Sequence, residues 1–342
     1  MDFEQLTLDF CNGNTQGLNP PSSEDSWIDN NFLLQDRIQK IQQIIGQYGE
    51  ENFSISFSGG KDSTVLSALI DMALPDNKIP RVYANTGIEL NMIRDFVFEL
   101  QKSDDRIVVI KPKTSIQKML QIEGYPFKSK EHAKWVSLFQ RNGRGQSIEN
   151  YLGSDKRDKD LYRTCPKILQ YQFNGQFNLK VSDKCCLRLK EEPLDTWAKE
   201  NHRPICINGI MRSENGRRMG AQCLAFVGTK LKQFHPLAPM TKEWEEWFID
   251  TFNIKICDIY KPPYNFIRTG CKGCPFAVHL QEELDALEKY FPNEKKQCEI
   301  IWKPVYQEYR RLGYRLKPLA DEQFEGQMSI FDYNITGGCI NE

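Results

Sequence analysis

The chain has 342 residues, enough for one large domain or two domains with a hydrophobic core. Its formal net charge of −1 excludes a strongly basic field over the whole surface, although local basic patches are compatible with it. No apolar run approaches the ~20 residues of a membrane-spanning helix, and the acidic start at 1–5 lacks the layout of a signal peptide. We therefore expect a cytoplasmic protein with no membrane association, whose eleven cysteines are mostly reduced.

The first elements are a turn-rich lead and a helix. Residues 1–30 carry Asn-Gly and Pro-Pro turn signals, which predict a flexible segment. Apolar side chains recur at helical spacing over 31–48, which predicts a helix. Further along, helix-like stretches alternate with predicted strands near 53–57, 81–85, 106–110 and 205–209. This alternation predicts an α/β fold with a parallel sheet.

The most informative motif follows the first predicted strand and reads Ser58-Gly59-Gly60-Lys61-Asp62-Ser63. A glycine pair at a strand-to-helix turn lets successive N–H groups point at one spot, where the helix N-terminus adds partial positive charge. Lys61 adds a full charge, so we expect a pyrophosphate cradle. The order is not that of a Walker loop, Gly-x-x-x-x-Gly-Lys-Ser/Thr. The alternative is a glycine turn in which Asp62 or Ser63 merely caps the helix.

Two later regions have a composition that predicts their structure. The stretch 140–160 is polar and charged, which predicts a loop or lid. Residues 278–313 have a helical pattern, with Trp302, Tyr306 and Tyr309 in the core.

Two cysteine pairs suggest a metal site. Cys185 and Cys186 are adjacent, and Cys271 and Cys274 form a CxxC motif. Adjacent cysteines fit poorly on one tetrahedral zinc, which normally takes two CxxC pairs. A [4Fe-4S] cluster offers four irons, each able to take one thiolate, so adjacent cysteines can bind different irons. We expect a [4Fe-4S] cluster; zinc is the next alternative, and buried free cysteines with a redox CxxC are the third.

Arginines follow the strand predicted near 205–209. Arg212, Arg217 and Arg218 lie in a glycine-bearing segment, and guanidinium groups suit phosphate or sulfate because they bind two oxygens at once. Open α/β sheets bind ligands after their strands, which favours a phosphate contact, from Arg212 above all. The alternative is a solvated polar loop.

The six-residue loop resembles the PP-loop of ATP pyrophosphatases and sulfonucleotide reductases. Together with the cysteines, it makes the chain resemble the phosphoadenylylsulfate (PAPS) reductase and PP-loop ATP pyrophosphatase superfamily. The chain resembles the iron–sulfur adenylylsulfate reductases and is also similar to the DNA-phosphorothioation sulfurtransferases. The resemblance spans about 50–310, and its other matching segments are Thr86-Gly87-Ile88-Glu89, 185–194, 209–218 (with Asn215 where Ser is usual), 234–237, 259–260 and 268–271.

This resemblance implies a HUP-like (adenine nucleotide alpha hydrolase-like) parallel sheet flanked by helices. The implied organisation is a PP-loop domain at 31–277, a helical region at 278–320 and a flexible tail at 321–342. The implied ligands are ATP with Mg²⁺ and a [4Fe-4S] cluster on the four cysteines. The nucleotide would be bound by Ser58, Gly59, Gly60, Lys61, Asp62, Ser63, Thr86, Gly87, Arg212 and Arg217.

Three functions follow as alternatives. As an ATP pyrophosphatase, the enzyme would adenylate a substrate for sulfur transfer, with Lys61, Asp62 and Arg212 as catalytic residues; Asp62 would orient the loop or the metal. As a sulfonucleotide reductase, it would use Cys339 as nucleophile, but the tail lacks the Glu-Cys-Gly-Leu/Ile-His of those enzymes. The third alternative is a non-catalytic, DNA-associated accessory protein. The sequence leaves the sulfur donor unknown and the acceptor open among tRNA, DNA and small molecules.

Both ends of the chain carry a short peptide motif. Residues 5–10 (Gln-Leu-Thr-Leu-Asp-Phe) and 327–331 (Gln-Met-Ser-Ile-Phe) resemble peptides that dock on the bacterial sliding clamp. Such peptides fill an apolar groove with aliphatic and aromatic side chains. Clamp binding would place the protein at DNA, whereas the alternative is that both segments fold back on their own domain.

Overall fold

The computed structural model describes residues 29–153, 164–213 and 220–318. Its α-helices are α1 (Asn30–Tyr48), α2 (Lys61–Ala73), α3 (Asn91–Ser103), α4 (Ile116–Glu123), α5 (Lys130–Asn142), α6 (Gln146–Leu152), α7 (Glu192–Glu200), α8 (Lys242–Thr251), α9 (Leu280–Tyr290), α10 (Pro292–Ile301) and α11 (Lys303–Leu312). Its strands are β1 (Phe53–Ser56), β2 (Arg81–Ala84), β3 (Ile107–Ile110), β4 (Ile205–Ile207), β5 (Leu224–Val227) and β6 (Lys230–Phe234).

The six strands form one sheet in the order β3-β2-β1-β4-β6-β5. All neighbours are parallel except β5 and β6, which form an antiparallel hairpin at the edge. The α/β prediction is confirmed, and the four predicted strands lie within two residues of where they were expected. Because the chain moves from β1 to β2 on one side and later returns to β4 on the other, the carboxyl ends of β1 and β4 flank a topological switch point. Ligands bind at such points in open α/β sheets.

Helix α1 packs where its apolar periodicity predicted. It buries Leu34, Ile38, Ile41, Ile44 and Ile45 in a cluster shared with β1, α2, β4 and α8. A second cluster joins the loop after β2, helices α4–α6 and the C-terminal helices α9–α11. Each apolar side chain buried in this way contributes about 1.5–3 kcal/mol relative to exposure.

The prediction of a loop or lid over 140–160 is wrong for the part that the structure describes up to residue 153. Helix α5 continues to Asn142, and α6 covers Gln146–Leu152 between Gly145 and Gly153. The prediction relied on the mostly polar composition and overlooked two apolar positions. Ile148 and Tyr151 are buried and anchor this short helix.

The pattern over 278–313 forms three helices, α9 to α11, and Trp302, Tyr306 and Tyr309 are buried as predicted. The domain limits at 31–277 and 278–320 stay a prediction. The segments 1–30 and 321–342 lie outside the described residues, except for Asp29 and Asn30. Within the described ranges, no helix combines the length and the apolar character needed to cross a membrane.

Candidate nucleotide and cysteine site

The PP-loop connects β1 to α2 at the switch point. Gly60 is the N-cap residue of α2, so neither Asp62 nor Ser63 caps this helix through its side chain. Gly59 has φ +70°, and a Cβ atom there would lie 2.5 Å from Cγ2 of Val97. Only glycine fits this backbone without displacing α3, because an L side chain is strained at positive φ and would also clash. Gly59 is therefore required by the turn itself.

Serine hydroxyls hold the loop closed on itself. Ser63 donates from Oγ to the carbonyl of Gly60 at 3.0 Å, and its Oγ accepts from the backbone N–H of Ser58 at 3.2 Å. The two serine hydroxyls lie 3.1 Å apart. These bonds fix the loop at the positive end of α2, an arrangement that suits an anion.

Five charged side chains lie at the start of α2. Lys61 Nζ lies 3.7 Å from Glu245 Oε2 and 3.9 Å from Glu246 Oε1. Asp62 Oδ1 accepts from Lys242 Nζ at 2.8 Å, and Lys242 also contacts Glu245 at 3.1 Å. Burial, with the nearby negative charge of Asp62, raises the pKa of Glu245 to about 7. Sequence reasoning missed Lys242 and Glu245, because no local pattern links α8 to the PP-loop.

The loop after β2 is held by one buried carboxylate. Glu89 accepts from Thr86 Oγ1 at 2.6 Å through Oε1 and from Thr86 N at 3.1 Å through Oε2. Gly87 has φ +78° and faces open space. A cavity of about 470 Å³ lies beside this loop, bordered by Asn85 and Lys111 at the ends of β2 and β3 and by Arg94 on α3. The predicted nucleotide contacts Thr86 and Gly87 thus line a cavity, next to the strand that leads into the PP-loop.

The four predicted metal ligands lie in one neighbourhood. Cys185 and Cys186 have their Sγ atoms 4.0 Å apart and open the helical segment that continues, through a π-helical turn at Leu187–Glu191, into α7. The Cys186 contact, burial, and then Cys274 and Cys271 raise the pKa of Cys185. The two pairs are therefore near enough to influence each other electrostatically, and a metal shared by all four thiols stays a prediction. Among the described ranges, no group of three or more His, Cys, Asp or Glu is arranged around a single metal ion.

The CxxC loop rests on three aromatic side chains of the C-terminal helices. Trp302 Nε1 donates to the carbonyl of Lys272 at 3.0 Å, Tyr306 Oη to that of Gly273, and Tyr309 Oη to that of Pro275 at 2.9 Å. Sequence analysis placed these aromatics in the core but missed their polar role. Their hydrogen bonds satisfy buried carbonyls and set the shape of the loop that presents Cys271 and Cys274.

Two contacts join the cysteines to the nucleotide loops. Lys190 Nζ lies 3.6 Å from Glu89 Oε1, and although burial lowers the pKa of Lys190, Cys271 and Glu89 raise it. Glu89 and Cys271 also form a backbone β-bridge. The loop after β2 is therefore in contact with the segments that bear the cysteine pairs.

A second contact reaches the PP-loop. The hydroxyls of Tyr260 and Thr269 are hydrogen-bonded, and a Cβ on Gly60 would lie 3.3 Å from Tyr260 Oη. Thr269 precedes Cys271 by two residues, so the cysteine loop starts beside the phosphate loop. Sequence analysis included both hydroxyl residues in the family pattern but assigned them no role.

The end of β4 lies against the PP-loop, as expected for a switch point. A Cβ on Gly209 would lie 3.0 Å from the carbonyl oxygen of Asp62. Arg212 is exposed and donates from Nε to the carbonyl of Ala221 at 2.7 Å. Its phosphate contact stays a prediction. The remaining predicted sites lie outside the described residues: Arg217, Arg218, Cys339, 5–10 and 327–331.

Solved structures of low sequence identity are similar to this chain. PAPS reductase from Candida auris, in a phosphate complex, is 11% identical and covers 73% of this chain and 98% of its own, with a TM-score of 0.40. FMN adenylyltransferase from Candida glabrata, with FAD and pyrophosphate, is 13% identical over 78% and 70%, with a TM-score of 0.43. The U34-tRNA thiolase NcsA from Methanococcus maripaludis, with its [4Fe-4S] cluster, is 13% identical over 83% and 80%, with a TM-score of 0.33.

Part of the sequence also matches the model of a known protein family. No curated protein shows significant sequence similarity to the chain. The family model described as phosphoadenosine phosphosulfate reductase domain matches residues 52–155, which include the PP-loop and the loop after β2. The PP-loop resemblance is therefore confirmed: residues 52–155 match the phosphoadenosine phosphosulfate reductase domain.

Proposed function

We propose that the protein binds ATP and uses it to adenylate a substrate, releasing pyrophosphate, so that sulfur can then be transferred to that substrate. The observation that carries this proposal is the contact between the loop after β2 and the segments that bear the cysteines. The Glu89–Lys190 contact links the loop after β2, next to the PP-loop, to the two cysteine pairs. An enzyme that couples nucleotide activation to sulfur chemistry needs both parts in one site.

The loop residues have distinct roles in this reaction. A substrate oxygen attacks the α-phosphorus, the bond to the β-phosphate oxygen breaks, and pyrophosphate leaves. Lys61, the N–H groups at the start of α2 and the hydroxyls of Ser58 and Ser63 stabilise the charge that develops on pyrophosphate. Asp62 orients the loop, and Mg²⁺ bound to the phosphates would share the same charge. Sulfur then attacks the activated centre, and AMP leaves with the substrate oxygen.

The donor set fits an iron–sulfur cluster. The two pairs of thiols lie in the same region, one of them on a tight turn whose Gly273 has φ +58°, and Lys190 supplies positive charge near Cys271 and Cys186. Cys185, Cys186, Cys271 and Cys274 would hold a [4Fe-4S] cluster, with one thiolate for each iron. When bound, the cluster would supply redox-active iron next to the nucleotide loops. Zinc is the alternative that metal analysis would reveal.

Sulfonucleotide reduction is the second candidate, and the family match at 52–155 favours it. In that reaction the site would hold adenylylsulfate or phosphoadenylylsulfate. A thiolate, with Cys339 as the candidate, would attack the sulfur and release the nucleotide. A dithiol such as reduced thioredoxin would then release sulfite and be oxidised to its disulfide.

An anaerobic turnover assay of the iron-replete protein separates the two reactions. ATP, adenylylsulfate and phosphoadenylylsulfate are offered separately, ATP with sulfide and either total tRNA or DNA, and the sulfonucleotides with reduced thioredoxin. We expect pyrophosphate and AMP from ATP and no sulfite from either sulfonucleotide. Lys61→Ala should abolish pyrophosphate release. Lys102→Ala is the control, because that lysine has 70% of its side chain exposed on α3.

The other outcomes are equally informative. Sulfite from either sulfonucleotide would overturn the proposal in favour of the reductase. No turnover of any nucleotide by an iron-replete preparation would favour the DNA-associated accessory protein. In that case a sliding-clamp binding assay with 5–10 and 327–331 deleted becomes the decisive measurement.

A further inference from the structure

Two helices bring their first residues together at the PP-loop. Lys61 begins α2 and Lys242 begins α8, and Lys242 Nζ lies 2.8 Å from the side chain of Asp62, the second residue of α2. Each helix N-terminus carries about half a positive charge, and each adds one lysine here. The positive ends of two helices therefore face the place where the PP-loop would hold an anion.

Between the lysines lies a carboxylate whose burial has no structural explanation. Glu245 is 0% exposed, its Oε2 contacts both lysines, and its Oε1 has no hydrogen-bond partner among the described residues. A buried, half-satisfied carboxylate is costly, and an apolar residue of similar size would serve stability better. Such a residue is typical of a site where charge is positioned for a ligand.

The distances show which bonds are available to a ligand. Lys61 reaches its carboxylate partners only at 3.7 and 3.9 Å, longer than a hydrogen bond, so its ammonium can turn to a phosphate at little cost. Lys242 uses two of its three donors, on Asp62 and on Glu245. Its third donor has no partner among the described residues.

We propose that Lys242 is a second cation that binds the pyrophosphate group of the nucleotide, and that Glu245 is the positioning residue that holds Lys61 and Lys242 beside the loop. This inference rests on the proposed function only in that the ligand is a nucleotide with a β,γ-pyrophosphate. It adds to the PP-loop a second helix, α8, whose first residue touches the leaving group.

The test compares three probes that differ in their phosphates: ATP, inorganic pyrophosphate and AMP, each titrated calorimetrically into the full-length protein. Because a hydrogen bond to a charged group contributes about 1.5–3 kcal/mol, Lys242→Met should lower the affinity for ATP and for pyrophosphate at least about tenfold. AMP binding should change less than about twofold, since AMP lacks those phosphates. Lys242→Arg should restore most of the pyrophosphate affinity, because it restores the charge.

The matched control for Lys242→Met is Lys261→Met. Both side chains are about half exposed and pair with an aspartate, but Lys261 pairs with Asp258 and not with a PP-loop residue. This variant should bind all three probes like the wild type. Equal losses for ATP, pyrophosphate and AMP in Lys242→Met would show a structural role and overturn the inference.

The positioning role of Glu245 needs a double-mutant cycle. Glu245→Gln should weaken pyrophosphate binding in the wild type but have a smaller effect in Lys242→Met, because part of its effect passes through that lysine. Glu246→Gln is the control, since its side chain is 66% exposed. Strictly additive effects would overturn the role of Glu245.

The two proposals fail differently. A wild type that binds pyrophosphate but turns over no ATP would refute the proposed function alone. This inference alone would be refuted if the wild type releases pyrophosphate from ATP while Lys242→Met binds ATP and pyrophosphate as tightly as the wild type does.

Discussion

The ammonium of Lys190 lies 3.6 Å from the carboxylate of Glu89, and this pair connects the loop after β2 to the cysteines. Glu89 also accepts two hydrogen bonds from Thr86, one from the backbone N–H and one from the hydroxyl of that threonine. One side chain thus shapes a nucleotide-facing loop and faces the segment that bears Cys185 and Cys186. A substitution at Glu89 should therefore affect both the loop after β2 and the segment that bears the cysteines.

We expect Glu89→Gln to lower the free energy of unfolding by about 1–3 kcal/mol, because an amide nitrogen cannot accept the Thr86 hydrogen bonds and a buried donor loses its partner. ATP binding should weaken in parallel. Urea denaturation and calorimetric titration measure the two effects. The control is Glu99→Gln on α3, whose carboxylate is 62% exposed and pairs with Lys102. A loss of the same size in both variants would contradict the role given to Glu89.

The PP-loop gives a prediction about Gly59. Gly59→Ala places a Cβ at positive φ and 2.5 Å from Cγ2 of Val97. Backbone strain should cost about 1–2 kcal/mol, and overpacking against α3 about 1–3 kcal/mol more. ATP binding should be lost with the shape of the loop.

The comparison for Gly59→Ala is Gly228→Ala in the β5–β6 turn. That glycine also has positive φ, +60°, but a Cβ there meets nothing within 4 Å. The difference between the two variants in urea denaturation isolates the clash from the strain. Equal destabilisation would mean that α3 yields to the new methyl group, and that Gly59 is required for its φ alone.

Much of this site could be predicted from the sequence because its signals are local. The PP-loop sits in six consecutive residues, and the strand before it alternates apolar and polar side chains, so its position on β1 and α2 follows directly. The cysteine pairs likewise stand out by spacing. Their convergence was a prediction from resemblance, and the mutual influence of the thiols supports it.

What the sequence could not predict depends on tertiary contacts. Lys242 meets Asp62 across 180 positions, and α8 carries no motif that points to the PP-loop. The sequence pattern placed Tyr306 in the core, and its ring is indeed buried. Its hydroxyl, however, donates a hydrogen bond to the carbonyl of Gly273 in the CxxC loop. Side chains with both an apolar body and a polar group are ambiguous in a sequence, and only the fold shows which part is used.

The role of Tyr306 predicts the effect of removing one oxygen atom. Tyr306→Phe should leave the carbonyl of Gly273 unpaired in a buried place, at a cost of about 1–3 kcal/mol. Because that carbonyl lies between Cys271 and Cys274, the iron content per chain of anaerobically purified protein should also fall. Urea denaturation and iron analysis measure the two effects.

Tyr290→Phe is the matched control for this prediction. Its hydroxyl also donates to a backbone carbonyl, that of Pro263 at 2.9 Å, but at an exposed site. We expect a loss below about 0.5 kcal/mol and unchanged iron content. If Tyr306→Phe keeps full iron content while Tyr290→Phe does the same, the hydroxyl of Tyr306 stabilises the fold without shaping the metal site.

A buried histidine on α5 predicts how stability depends on pH. His132 is fully buried, with its ring nitrogens bonded to Tyr151 Oη at 2.8 Å and Gln172 Oε1 at 2.6 Å. Burial lowers its pKa from 6.5 to about 4. The folded state therefore resists protonation, whereas the unfolded chain takes up the proton near pH 6.5. The stability from the neutral ring is complete above that pH and is lost as the pH falls towards 4, by up to about 3 kcal/mol.

Urea denaturation at pH 7.5, 6 and 5 measures this slope. Wild type should lose stability steadily as the pH falls, whereas His132→Gln, although less stable at pH 7.5, should show a flatter pH dependence because the titrating ring is gone. His279→Gln is the control, since that ring is 75% exposed and its loss should leave the slope unchanged. A slope that persists in His132→Gln would assign the acid sensitivity to other groups and would mean that His132 accepts a proton without unfolding.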